Sequence, residues 1–232
     1  METSAFACLG NIFVEPKKAL QDIRPHGGWA WYPLVITLIL TTAMSAWYFS
    51  TVDISWLADQ TLAPLASKYS SDQLDAMRGG FTRNRFLFGA TVGGTIVILF
   101  IYLLQALYFF LVSKLGGFEE QSYGKWFSFT VWTSFPMVLS TIATGIAYLF
   151  ASHQTSYYAL DVTSLNTLLF HLPMSHPLMG VAASVRLTWF WTLALMVLGF
   201  ALWTRKSLGK SALIVLIPWV LIYVLWIVIK LA

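Results

Sequence analysis

"YFFLVSKLGGFEEQSYGKWFSFTVWTSFPMVL", residues 108–139, sets a compact polar turn of two glycines, two adjacent carboxylates and a lysine between two long apolar runs. Neither Phe86–Val112 before the turn nor Trp126–Phe150 after it holds a single Asp, Glu, Lys, Arg or His. A helix needs about 20 apolar residues to cross a hydrocarbon core of roughly 30 Å, and both runs are long enough. The turn then has a physical meaning: its polar groups stay in water and end two membrane spans.

The rest of the chain agrees. Of 232 residues, 58% are hydrophobic and 10% charged, against about 25% charged in ordinary soluble domains. A water-soluble core cannot absorb so much apolar surface, so the bilayer must serve as solvent for it. Three more uncharged segments qualify as spans, Trp31–Tyr48, Leu187–Trp203 and Ala212–Ile229. The last two are short and the Phe86–Val112 span is long enough to tilt or protrude. Trp29, Trp31, Trp47, Trp126, Trp189 and Trp203 fall near span ends, where amphipathic rings prefer the headgroup layer. These features predict an all-α integral membrane protein, a five-transmembrane-helix bundle. Residues 1–28 form an N-terminal segment and 29–232 a single membrane domain.

Lysines and arginines orient the bundle. With the N-terminus in the cytoplasm, eight of the 14 basic residues face inside, among them the basic "TRKSLGKS" turn, and six face outside. Residues 152–185 contain no Lys or Arg, as an outer loop should, whereas Arg83 and Arg85 run against the rule. The expected topology is N-inside, C-outside. The modest net charge of +4 is spread over short connections and does not suggest nucleic-acid binding.

The connections carry local signals. "SSDQLDAMRGG" reads as a short helix with Ser70 and Gln73 at capping-box spacing and Gly79 and Gly80 as its stop. In "TSLNTLLFHLP", Leu165, Leu168, Leu169 and Leu172 predict a short amphipathic helix on the membrane surface, with a re-entrant segment as the alternative. Pro16 opens a brief helix with Phe13, Leu20 and Ile23 on its apolar side. The N-terminus lacks a basic n-region and a continuous apolar h-region, so no cleaved signal peptide is expected. Cys8 is the single cysteine; it excludes an intrachain disulfide and reads as a small buried or interfacial side chain.

Chemistry is sparse. Pumps and ion-coupled transporters keep ionisable groups inside the membrane, and these spans hold none. Gln105 is the most polar mid-span residue and reads as an interhelical hydrogen-bonding group. His153, His171 and His176, with Asp161, would need to converge for an intramembrane enzyme or metal site. Pro173 and Pro177 prevent His171 and His176 from sharing a helical face at ligand spacing. No catalytic residue, metal ligand or cofactor is assigned. Gly89 and Gly93 have Gly-x-x-x-Gly spacing, which lets another helix approach closely, within the chain or from a second copy. Pro136 and Pro218 free the carbonyls of Trp132 and Ile214. A kink that shapes the bundle is one reading of both prolines; a crevice with Gln105 and the polar set Ser134, Ser140, Thr141 and Thr144 is the other.

"LGGFEEQSYGKWFSFTVWTSFPMVL" resembles the most recognisable segment of the Yip-one domain family, the Ypt/Rab-interacting membrane proteins and their prokaryotic relatives. The shared elements are Gly116, Gly117, Gly124, Lys125 and Pro136. "IFVEPKKALQDI" is similar to the family's lead-in before the first span, and the stretch from Leu187 to Leu221 to its final pair of spans. The resemblance implies five helices with a cytoplasmic N-terminus. Eukaryotic members carry a long soluble N-terminal region, whereas 28 residues precede Trp29 here, and no Asp-Leu-Tyr-Gly-Pro element is present. Rab binding is therefore not carried over, and the resemblance implies the prokaryotic branch, an inner-membrane protein of undefined activity.

The expected function is a non-enzymatic multi-pass protein that organises protein partners or lipids in the cytoplasmic membrane. Gly116, Gly117, Glu119, Glu120 and Lys125 form the candidate docking turn for a protein partner, and a homo-oligomer is compatible with the sequence. The alternative is a translocator or binder of a lipid or small amphipathic molecule, marked by a lateral cleft.

Overall fold

The computed structural model describes residues 4–118 and 121–232. Glu119 and Glu120 of the expected docking turn lie outside the described residues. All regular elements described are helical: α1 (Ala5–Val14), α2 (Pro16–Ile23), α3 (Trp31–Thr51), α4 (Ile54–Leu62), α5 (Ser71–Arg78), α6 (Arg83–Phe88), α7 (Gly94–Leu115), α8 (Tyr123–Ser134), α9 (Val138–Leu149), α10 (Tyr157–Leu160), α11 (Met179–Ser184), α12 (Leu187–Thr204) and α13 (Leu208–Leu231). A 3₁₀ turn leads into α3, a π turn over Gly89–Gly93 joins α6 to α7, and a 3₁₀ turn over Phe135–Met137 joins α8 to α9. Five helical segments are then long and apolar enough to cross a membrane: Gly27–Thr51, Arg83–Leu115, Tyr123–Leu149, Leu187–Thr204 and Leu208–Leu231. The chain is an all-α multi-pass membrane protein.

The spans run alternately up and down. One end of the bundle, the N-terminal face, carries α1, α2, residues 116–118 and 121–122, and the turn at 205–207. The other, the distal face, carries α4, α5, α10 and α11. The third span sits in the centre: 61% of its apolar stretch lies inside the bundle, against 6% of the fifth. Yet the third is the least apolar of the five and the fifth the most apolar. In lipid this inversion is expected, because tails solvate Leu and Ile as well as a core does. Small side chains such as Ser128, Thr130, Thr133 and Ser134 instead let backbones approach at the buried centre. α8 packs on α7 and α12, and its rings Trp126, Phe129 and Trp132 join Phe109, Phe200 and Trp203 in the main core.

The N-terminal helices enter that core. α1, which the sequence reading did not anticipate, begins where the Ser4 side chain accepts from Ala7 N–H, and Pro16 stands at the start of α2 as expected. Cys8, Ile12, Leu20 and Ile23 are fully buried, so the pair docks on the bundle. Trp203 Nε1 donates to the Leu20 carbonyl at 2.9 Å and Arg24 Nη2 to the Trp203 carbonyl at 3.2 Å. Gly199 makes the approach feasible: a Cβ there would fall 2.5 Å from Phe129 Cε2 and 3.1 Å from Leu20 Cδ2.

One further expectation changes. Residues 163–173 form one π turn over Asn166–Phe170, with His171 left-handed at its end. The Asn166 side chain clamps both the N–H and the carbonyl of Leu172, which curls the segment before a second turn can form. Its leucines therefore do not share one helical face. At Gly89 and Gly93 an added Cβ would meet nothing within 4 Å, while α3 packs along the same turn. Beside it Thr42 Oγ1 of α3 lies 3.2 Å from Thr95 Oγ1. The capping box at Ser70 and Gln73 forms as read from the sequence.

Candidate functional site

The carbonyl freed by each proline finds a donor. Around Pro136 the chain tightens into a 3₁₀ turn, so that Phe135 N–H takes the carbonyl of Trp132. The Ile214 carbonyl released by Pro218 accepts from the Tyr108 hydroxyl of α7 at 2.7 Å. Gln105 Nε2 reaches the Met196 thioether on α12 at 3.4 Å, an interhelical contact. In the turn, Gly117 is left-handed with φ 58°, and a Cβ on Gly116 would strike Phe118 and the Val112 carbonyl. Phe118 packs edge-on against Phe200, Lys206 Nζ stands 4.5 Å above the Phe118 ring, and the Lys125 stem lies against Gly27. The described part of the turn is thus engaged in its own packing.

A cavity of about 790 Å³ opens elsewhere, at the distal face. Neither proline lines it, nor does Gln105. One wall is the end of α3, with Ser45, Tyr48 and Phe49, against Phe86 and Ala90 of the second span. Phe49 and Phe86 stack with ring centres 5.3 Å apart. Arg83 fixes this corner by donating to the last carbonyls of α3, Phe49 at 2.7 Å and Val52 at 3.1 Å. The opposite wall is α11 with Trp226 of α13: Gly180 lies against the indole, and Ser184 Oγ bonds the Tyr223 hydroxyl at 3.2 Å. Tyr48 closes the end, donating to the Thr155 carbonyl at 3.0 Å and meeting Tyr157 edge-to-face.

At the cavity's base Asp161 pairs with Arg186 through Oδ2 and Nε. The other carboxylate oxygen, Oδ1, accepts from Thr163 N–H at 3.2 Å and Thr163 Oγ1 at 2.7 Å. Backbone bonds from Leu165 N–H to Val185 and from Leu187 N–H to Thr163 clasp the two strands of chain that carry the pair. Ser140 of α9 bonds Thr163 and Thr188 at 2.7 and 2.6 Å, which ties the clasp to the third and fourth spans. The Asp161 side chain is 5% exposed and that of Arg186 33%. A carboxylate so buried must be paired, since the cost of desolvating a lone charge is several kcal/mol. Burial pushes the neighbouring Tyr157 hydroxyl up from its ordinary pKa, with Arg186 pulling it back and Asp161 adding to the rise.

The other expected ligands do not join Asp161. His153 lies in a separate polar hollow with Asp53 and Gln154. There Asp53 accepts from Ser55, Gln154 and the Trp56 N–H, bonds that hold its carboxyl down at about 2. His171 caps its π turn, and His176 Nδ1 accepts from Leu178 N–H. Among the described residues no three His, Cys, Asp or Glu side chains gather as a metal site.

Sequence reasoning named Asp161 for the wrong chemistry and counted Arg186 only as a topological charge. A usable signal was present: these two are the only Asp, Glu, Lys or Arg residues between Lys125 and Arg205. Two lone opposite charges flanking one loop are candidates to meet. Tyr157 and Trp226 had no such mark.

Residues 10–229 match the family model of the Yip1 domain. No curated protein and no solved structure matches the chain. The family's model covers all five spans together with α2 and most of the N-terminal lead-in, so the chain belongs to the Yip1 domain family.

Proposed function

We propose that this protein is a non-enzymatic membrane protein that binds and organises a lipid or small amphipathic molecule at the distal face of its bundle. One observation carries the reading: a cavity of about 790 Å³ whose walls are mostly apolar and whose base holds an ion pair between a buried carboxylate and a partly exposed guanidinium. Binding sites for small molecules are concave, largely apolar and of about 300–1,000 Å³, with a few fixed polar groups. The volume suits a single-chain or compact amphiphile. Catalysis would require converging acid, base or nucleophilic groups, and the Asp161 carboxylate already holds Arg186 and Thr163.

By the distribution of basic residues, we place the N-terminal face in the cytoplasm and the cavity on the outer side. Reporter fusions at the two ends of the chain should therefore report opposite compartments.

The test of binding is extraction of small molecules from protein purified out of native membranes, comparing wild type with Ala183→Phe, which projects a ring into the cavity from a wall residue. The wild type should carry a recurrent amphiphile near unit stoichiometry, and the variant should lose most of it while keeping its thermal transition. An empty wild type, or a folded variant that retains the same molecule, would sink the reading.

A further inference from the structure

Resting on that amphiphile-binding reading, we infer that the Asp161–Arg186 clasp selects an anionic oxygen headgroup, a carboxylate or a phosphate, for the amphiphile held in the distal cavity. The argument is an inventory of donors and acceptors. Asp161 Oδ1 accepts from both Thr163 donors and Oδ2 from Arg186 Nε, which fills three of the roughly four acceptor positions of a carboxylate. It has little capacity left to accept from a ligand. Arg186 spends only Nε on the pair, and among the described residues neither of its Nη atoms makes a hydrogen bond. Tyr157 lines the same cavity beside the pair, and among the described residues no hydrogen bond to its hydroxyl is found.

The unspent polar capacity of the base is therefore mostly donor in kind: a guanidinium edge and a phenol O–H. A guanidinium is planar, always charged and cannot accept, so its two Nη groups match paired oxygens of a carboxylate or phosphate. Asp161 also fixes the guanidinium's orientation in advance, which limits what is lost on binding. The aromatic walls Tyr48, Phe49, Phe86 and Trp226 could face a cationic headgroup, but a cation at the base would meet Arg186, with a carboxylate already spent on three bonds to offset it. Those walls instead suit an apolar chain leading away from the charged base.

The experiment uses full-length protein in neutral-lipid nanodiscs and a dodecyl phosphate with a terminal diazirine as photoprobe. Labelling is mapped to peptides containing Ala183 or Trp226. Dodecyl phosphate, dodecanoate, dodecyl glycerol ether and dodecyltrimethylammonium serve as competitors, each normalised to its partition into empty nanodiscs. Wild type should prefer one or both anions over the neutral and cationic chains by about tenfold or more, as expected for a charge-assisted pair of hydrogen bonds. The two anion arms distinguish a phosphate from a carboxylate source. Asp161→Asn/Arg186→Gln removes both charges together and should still hold the neutral ether while losing the preference. If that variant does not fold, Tyr157→Phe keeps the clasp and should lower the preference by about twofold or more. Equal competition by all four chains in the wild type would overturn the headgroup inference and leave the amphiphile site standing. No competable labelling at Ala183 or Trp226 would overturn both.

Discussion

Pro218 interrupts the fifth span, and the structure gives the consequence a single partner: the Tyr108 hydroxyl donates to the Ile214 carbonyl at 2.7 Å. Tyr108→Phe deletes that hydroxyl and little else. A buried acceptor left without a donor costs about 1–3 kcal/mol, whereas interhelical side-chain hydrogen bonds in membranes average about 0.6 and reach about 1.7 kcal/mol. The expected destabilisation is about 1 kcal/mol, where those two ranges meet. The background decides whether that value means what it should. In a Pro218→Ala protein, residue 218 regains an N–H and closes the helix bond onto Ile214. Tyr108→Phe should then cost less than about 0.3 kcal/mol, and the double-mutant cycle should return a coupling near 1 kcal/mol. The assay is reversible unfolding in mixed micelles, or steric trapping in bicelles, for the four proteins of the cycle. An equal cost of Tyr108→Phe in both backgrounds would refute the reasoning, because the hydroxyl would then be acting through something other than the carbonyl that proline exposes.

Two further outcomes follow from the N-terminal face. Gly199→Ala places a Cβ 2.5 Å from Phe129 and should destabilise by about 1–3 kcal/mol through overpacking. It should also loosen α2, so that trypsin cleaves faster at Lys17, Lys18 and Arg24. Gly209→Ala, where a Cβ would meet nothing within 4 Å, is the matched control and should change neither property. Cys8 is fully buried, and its thiol is pushed up to about 11, by desolvation first and by Asp22 second, with Lys18 opposing. Thiolate is the reactive form and is scarce well below that value. Maleimide labelling at neutral pH should therefore be at least about a hundredfold slower in the folded protein than in denaturant. Comparable rates in the two states would mean that α1 is not seated in the core.

The sequence alone determined what length and chemistry decide. Five uncharged stretches of sufficient length had to be helices, because backbone groups in hydrocarbon must be satisfied within the segment. The polar turn at 116–125 and the capping box at Ser70 were equally local, since each follows from glycine conformation or from side chains three residues apart. The family also was legible in that turn and in Pro136. Only the tertiary structure decided which span lies at the centre, since inside a bilayer apolar content does not rank burial and the least apolar span took the core. The docking of α1 and α2 depends on Gly199 and Trp203, nearly the whole chain away from Leu20. The distal site is assembled from α3, the second span, α10, α11 and α13, around a charge pair separated by 25 positions. Such contacts arise from how helices come to lie together in three dimensions. Spacing along one helix carries no trace of them.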